Sequence, residues 1–455
     1  MGRTDGRASA VRATLATSRE LFAAAVVIAV VGFAIILRHH WILTRIDWVS
    51  LIVSISALAY SFRMADPEPM TDEVFRRDEL LSQFAVFVVF LAFYSLTAGS
   101  DTSPFNAHVR QAFAFIHGHT YIDAPNYIEH AQVGPYSYQL HPILPAILLM
   151  PFTAIWGMDN TNQVYFSIAV GAIDVALAWR LLGRFRLTLD ARIWLTFFFG
   201  IGTIIWFESI EGSSWAVSMT VAAMLTLLAL DETFDQGRPA VVGLYAGIGA
   251  LARYDLAFVW PVYVGLLWLW RKRSIPELFW FIPGCTITAI TYIAFNYARY
   301  HSIFDLGVAS YLSTTSEAGK KLFALRYLPN NLFTLFFMAP RIDTSFPYIY
   351  PTFGGQSILT TSPAFLLAFR ASWRRLDVLL VAAGALLAAT PVLLYVGNGA
   401  SQFGTRHFVQ AFPFVLLLMA LGHRRMDQMA RILITISFCL IAWGIWCIRF
   451  YGLPA

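Results

Sequence analysis

The stretch GSDTSPFNAHVR, residues 99–110, sets a carboxylate, Asp101, within three residues of the end of the apolar run LLSQFAVFVVFLAFYSLTA. An acid there is either a solvated helix exit or a group facing a cavity at the membrane surface. The residues C-terminal to it favour the cavity. Asn106, Arg110, His117, His119, Tyr121, Asp123, Glu129 and His130 lead into YSYQLHPILP, which carries Tyr136, Tyr138 and His141. Such a loop, rich in aromatic rings and carboxylates, is of the kind that hydrogen-bonds sugars.

Three further stretches hold residues able to do chemistry. In WFESIEGSSW, residues 206–215, Glu208 and Glu211 sit about one helical turn apart and can share a face beside Trp215. A polar hairpin tip is the bland reading, but ionisable groups near hydrocarbon usually face a cavity. In LARYDLAF, residues 251–258, Arg253 interrupts an apolar hairpin at a cost of at least about 2.5 kcal/mol. It therefore calls for an anion, either Asp255 or a lipid phosphate, with Tyr254 between them. In NGASQFGTRHFVQAFPF, residues 398–414, Arg406 and His407 stand at the mouth of a span. Gly399 and Gly404 let backbone approach a ligand closely, and Arg can clamp a phosphate with two donors; snorkelling to headgroups is the bland alternative. His117 and His119 have spacing for a metal but are more often solvated. Gly243 and Gly247 in GLYAG fit close helix packing. Lys320 and Lys321 would meet phosphate or lipid headgroups.

These groups need a scaffold, and composition names its class. The chain of 455 residues is 58% hydrophobic and 13% charged, with a mean hydropathy of +0.62; soluble domains carry about 25% charged residues. Apolar blocks of membrane-crossing length recur, so an all-α polytopic membrane protein is expected. About thirteen spans are readable, the first two at 21–37 and 47–62 and the last at 430–448. The stretches 239–252 and 256–270 are short, either tilted or one broken unit. Residues 1–79 read as a tail with two accessory helices, and 80–455 as the main module.

Basic residues cluster in alternate loops: Arg180, Arg184, Arg186 and Arg192, then Arg271, Lys272 and Arg273, then Arg370, Arg374 and Arg375, then Arg424, Arg425 and Arg431. Placing them in the cytoplasm puts the N-terminus inside and the long loops 99–160 and 296–356 outside. Within those loops, PILPAILLMPFTAIW reads as a helix lying at the interface and LPNNLFTLFFMAP as a second apolar piece. The first apolar stretch reads as a retained helix, and Cys285, Cys439 and Cys447 as core residues. No Walker P-loop, GxGxxG after a strand or HExxH is present, and no continuous basic face suggests nucleic acid.

The order of pieces then becomes informative. A span, SD at its outer end, and Y-x-Y-x-x-HPILPAILLMPF resemble the first external loop of bacterial GT-C membrane glycosyltransferases, closest to the protein-mannosyltransferase and aminoarabinose-transferase-like branch. GIGALARYDLAF, FNYARYHSIFDLG and FGTRHFVQAFPF are similar to later segments of such proteins, and the match covers about residues 80–421. The resemblance implies a GT-C-like bundle of about 11–13 helices in the bacterial cytoplasmic membrane, acting extracytoplasmically. It implies a polyprenyl-phosphate-linked sugar as donor and a glycan, lipid or protein acceptor, with inversion at the sugar.

On that pattern Asp101 is the catalytic acid position. The familiar Asp-Glu pair here reads Asp101-Thr102, which leaves the second carboxylate open among Asp123, Glu208 and Glu211. A positioned general base supplies about 10²–10⁴-fold, and the departing phosphate needs fixed cations or a metal. Arg253 and Arg406, with His407, are the expected phosphate-binding groups. Asn106, Tyr136, Tyr138, His141, Trp215 and Tyr254 are expected to hold the sugar or the lipid chain. No cofactor is assigned, and a divalent metal stays open. Two other classes compete. A transporter or flippase would place charges near the midplane in broken helices with a paired repeat, and no repeat is visible. An O-antigen ligase or polymerase would use a similar donor on a different helix arrangement.

Overall fold

The structure is a computed structural model that describes residues 75–99, 103–123, 129–304, 307–312, 319–352, 354–397, 399 and 402–452. The two accessory spans, Asp101 and Thr102 lie outside the described residues. The described part is mostly helical, with two short hairpins, and it belongs to an all-α polytopic class.

Six helices are long and apolar enough to cross a membrane: α1 (Phe75–Thr97), α4 (Gln163–Leu182), α7 (Ser214–Phe234), α10 (Ile275–Tyr300), α12 (Leu376–Leu393) and α14 (Gln428–Tyr451). A seventh is bent by 45° between α5 (Leu189–Ile201) and α6 (Ile205–Glu211). The expected spans that fall on the described residues are therefore too many, the two at 21–37 and 47–62 lying outside them. Three expected spans are shorter apolar helices: α8 (Pro239–Ala250), α9 (Tyr254–Leu269) and α13 (Arg406–Gly422). The apolar stretch near 357–370 coils instead into a 3₁₀ segment, Pro363–Arg370. Hydropathy alone cannot separate such pieces from spans, because all are apolar; length decides.

α4 and α7 are the most enclosed of these six helices, with α1 and α7 against α4, and α8 between α7 and α10. α7 is buried over most of its surface, and α4 leaves outside only a narrow stripe that includes Tyr165 and Ile173. α10 instead shows lipid an outer row that includes Ile282, Ile287, Ile290 and Ile293. The GLYAG pair serves packing as expected. A Cβ at Gly243 would come 2.2 Å from the Phe281 carbonyl oxygen, and one at Gly247 2.5 Å from that of Gly284. The α8 and α10 backbones touch there, which only glycine permits.

The basic loops share one end of the bundle, because their bonds link them. Arg184 joins Asp231 at 2.8 Å and Asp235 at 2.7 Å, and Arg180 joins Asp231 at 2.8 Å. Arg273 donates to the Gly237 carbonyl, Arg431 pairs with Asp190, Arg192 with Glu79 and Arg370 with Asp427. α7 runs from Ser214 to this end, so its start marks the opposite one. At that opposite end lie α2 (Ala107–Ile116), the antiparallel hairpin β1 (His130–Val133) with β2 (Tyr136–Gln139), and α3 (Leu144–Asn160). α3 carries Pro151, breaks at Gly157, and exposes Phe152, Ile155 and Trp156. The second long segment contributes α11 (Leu328–Phe336) and the short pair β3 (Arg341–Ile342) with β4 (Ile349–Tyr350). Asn331 of α11 donates to the carbonyls of Val392, Leu393 and Tyr395 and so caps the end of α12.

Candidate functional site

The turn between α6 and α7 organises the site. Gly212 takes φ +58°, and a Cβ there would lie 2.6 Å from Val164 Cα. Just beyond it, Ser214 ties in the segment C-terminal to Asp101. Its backbone N–H and its hydroxyl both donate to the Phe105 carbonyl, at 2.9 and 2.7 Å, and Gln163 Nε2 donates to the same oxygen at 3.2 Å. From α2, the fully buried His108 reaches the Ser214 carbonyl with Nε2 at 2.8 Å and lies 2.9 Å from Ser218 Oγ. A carbonyl can only accept, so Nε2 carries the proton. Burial, and next the charge of His141, hold the His108 imidazole well below its usual range, the Ser214 carbonyl opposing them. It is a neutral group at physiological pH.

His141 follows β2, 5.4 Å from His108 between ring centres, and pairs with Glu129 at 2.9 Å. Burial pushes the Glu129 carboxyl up, but the contact with His141 and the charges of His141 and Arg406 outweigh it, leaving it below the ordinary carboxylate range. Arg406 is 6% exposed and lies over the Trp215 ring at 4.7 Å, and that ring packs on Phe105 at 4.7 Å. Glu208 and Glu211 are within electrostatic reach of Arg406 as well. Glu211 accepts from the Ser213 N–H at 3.0 Å, whereas both Glu208 oxygens are buried without a hydrogen-bond partner. Three carboxylates, two from α6 and one from the segment before β1, thus gather around one guanidinium.

Beside them opens a cavity of about 260 Å³, lined by His141, Arg253, Tyr254, Asp255, Tyr395 and His407 among others. The anion that Arg253 calls for is Asp255, held by two contacts at 3.1 and 3.3 Å. Gln410 donates to the same carboxylate at 2.7 Å, linking α13 to the start of α9. Arg253 therefore faces the cavity as half of an ion pair and not as a lone cation. The second long segment closes this side, since Val396 N–H donates to the Leu322 carbonyl at 2.9 Å and Leu322 and Phe323 join the wall.

Of the expected residues, Arg253, His407, His141 and Tyr254 meet in the cavity wall, and Arg406 with Trp215, Glu208 and Glu211 forms a neighbouring polar cluster. Others do not join that wall. Asn106 accepts from Arg110 Nε at 3.0 Å, Tyr136 is 45% exposed and leans on Tyr121, and Tyr138 is buried edge-on to Tyr300. Asp123 is exposed. His117 and His119 each turn Nδ1 to a nearby carbonyl, Phe113 and Tyr121. Among the described residues no group of three His, Cys, Asp or Glu side chains is placed to hold a metal ion. His108 and Gln410 sit inside the very stretches singled out by sequence but show no signal of their own, being ordinary polar residues on apolar helices. Asp174, fully buried in α4 with both oxygens unpartnered, is signalled in the sequence only by its charge in an apolar run.

Compared with family models, curated proteins and solved structures, the chain matches none.

Proposed function

We propose that this protein is a GT-C-like glycosyltransferase of the bacterial cytoplasmic membrane. It takes a sugar from a polyprenyl-phosphate carrier on the extracytoplasmic face and passes it, with inversion, to an acceptor hydroxyl. The observation that carries the reading is the meeting of His141, Arg253, Asp255 and His407 in one cavity, with Arg406 and three glutamates alongside. That site lies at the end opposite the basic loops, which the positive-inside rule assigns to the cytoplasm.

In this reading a carboxylate takes the proton from the acceptor hydroxyl, and the oxygen attacks the anomeric carbon. The bond from that carbon to the phosphate oxygen breaks, and its electron pair leaves with the lipid phosphate. Asp101 is the base; the segment after it is tied through Phe105 to Ser214, next to Glu211. Glu208 and Glu211 are candidates for the second acid. Arg406, with Arg253, supplies positive charge to the departing phosphate; His407, kept neutral by burial and by the charges of Arg406 and Arg253, binds it by hydrogen bonding. Membranes incubated with labelled polyprenyl-phosphate sugars test this. Asp101→Asn is expected to lower transfer by about 10²-fold or more, and equal transfer by both proteins would remove Asp101 from the mechanism.

One observation favours a second reading, a transporter. Glu208 lies in the short half of a bent helix pair, and Asp174 lies near the middle of α4, both buried and unpartnered. Ionisable groups so placed are what ion-coupled carriers use. Proteoliposomes that move protons in response to a substrate, without any glycosyl product, would establish it.

A further inference from the structure

Among the described residues three arginines are buried to 6% exposure or less: Arg192, Arg299 and Arg406. Arg192 pairs with Glu79, and Arg406 lies among carboxylates. Arg299, in the last turn of α10 and 2% exposed, has no carboxylate at ion-pair distance among the described residues. Its Nη1 donates to the Gln139 carbonyl at 3.0 Å and its Nη2 to Asn296 Oδ1 at 2.9 Å. Phe295 packs on the guanidinium at 3.8 Å and Tyr300 at 4.7 Å. Every one of these partners is neutral. The partial negative charge at the helix end offsets only about half a unit, so much of the cation's charge is left uncompensated in a buried place where that is costly.

The neighbouring groups are unfilled as well. Gln139 is fully buried with both side-chain amide atoms unpartnered, and Asn296, equally buried, has Nδ2 without an acceptor. Buried amides almost always find partners. Leu140, next in the chain to Gln139, lines the cavity, and so does Tyr254, which lies within electrostatic reach of Arg299. One cation and two amide N–H₂ groups with donors to spare match an oxyanion. We infer that Arg299, Asn296 and Gln139 form an anion subsite for a phosphate-bearing ligand, entered from the cavity past Tyr254. The subsite is separate from the Arg253–Asp255 pair and does not depend on the transfer reaction proposed above, because binding is read without turnover.

The test uses the full chain in detergent with three probes: a polyprenyl phosphate, the matching neutral polyprenol and inorganic phosphate. Tryptophan fluorescence during thermal unfolding reports saturable stabilisation. Wild type should be stabilised by the polyprenyl phosphate and not by the polyprenol. Arg299→Gln should weaken that response about tenfold or more, Arg299→Lys less, and Asn296→Ala by an intermediate factor. Competition by inorganic phosphate would mark a site for a soluble phosphate, and its absence a lipid headgroup; both uphold the subsite. Equal stabilisation by polyprenol and polyprenyl phosphate overturns it, and so does no response to either phosphate. Unchanged affinity in Arg299→Gln, with only the unfolding temperature lowered, reduces the residue to a structural clamp. Should that variant not fold, unchanged affinity in both Arg299→Lys and Asn296→Ala overturns the subsite equally.

Discussion

His108 illustrates how a single buried side chain ties stability to pH. Its folded state resists protonation, so the unfolded chain binds the extra proton more readily below the ordinary histidine value of about 6.5. The stability linked to it is complete above that pH and is lost as the pH falls from there towards the depressed folded value. Thermal unfolding between pH 7.5 and 5 should show wild type losing stability on acidification. His108→Gln should follow a flatter curve, and parallel curves for the two proteins would show that His108 does not titrate this way. The Arg253–Asp255 pair makes a second case. Asp255→Asn leaves a half-buried guanidinium without its carboxylate and should cost about 3 kcal/mol, whereas the double change with Arg253→Met should recover much of it. A double-mutant cycle with no coupling would mean that Gln410 alone holds Asp255. At this scale the sequence is legible in part. Arg253 and Asp255 lie two residues apart, so their pairing is one of two options that spacing allows. The company of His141 and His407 is not readable, because those positions are more than a hundred residues away on either side, and only the helix order brings them together. His108 and Arg299 are silent for another reason: one polar residue in an apolar helix looks the same in sequence whether it faces lipid, core or ligand.

At the scale of elements, the contact of α8 with α10 is the feature most open to test. Gly243→Ala pushes a methyl group against the Phe281 carbonyl, which is backbone and cannot swing aside. The expected loss is about 1–3 kcal/mol. Gly354→Ala, where nothing lies within 4 Å of the added carbon, should stay within about 0.5 kcal/mol of wild type. Equal effects would mean that the two helices do not approach as described. GLYAG is readable because small residues four apart have one dominant use in membrane helices. The number of spans is harder to read. α8, α9 and α13 are as apolar as the crossing helices, and what separates them is where each stops, which depends on tertiary contacts that hydropathy does not record.

For the molecule as a whole, the distribution of charge predicts orientation. The basic loops are joined at one end and the cavity lies at the other. A membrane-impermeant thiol reagent applied to intact cells should label Lys321→Cys, in the exposed second segment, and spare Arg424→Cys among the basic loops. The reverse pattern would move the site to the cytoplasmic side and end the proposal of an extracytoplasmic donor. Cys439, the exposed native thiol, lies within α14 and is controlled for with the unmodified protein.

At the basic end ion pairs fasten α4 to α7 and α5 to α14, and the hydrogen bonds of Arg192 to the Trp179 carbonyl fasten α5 to α4. Helices clamped at one extremity separate by pivoting, and displacement grows with distance from the pivot. A 20-residue helix is about 30 Å long, so a tilt of about 10° about the clamped end moves its far end by about 5 Å. That is roughly the width of an isoprenoid chain, and the gap would be widest beside the cavity while the clamped end stays shut.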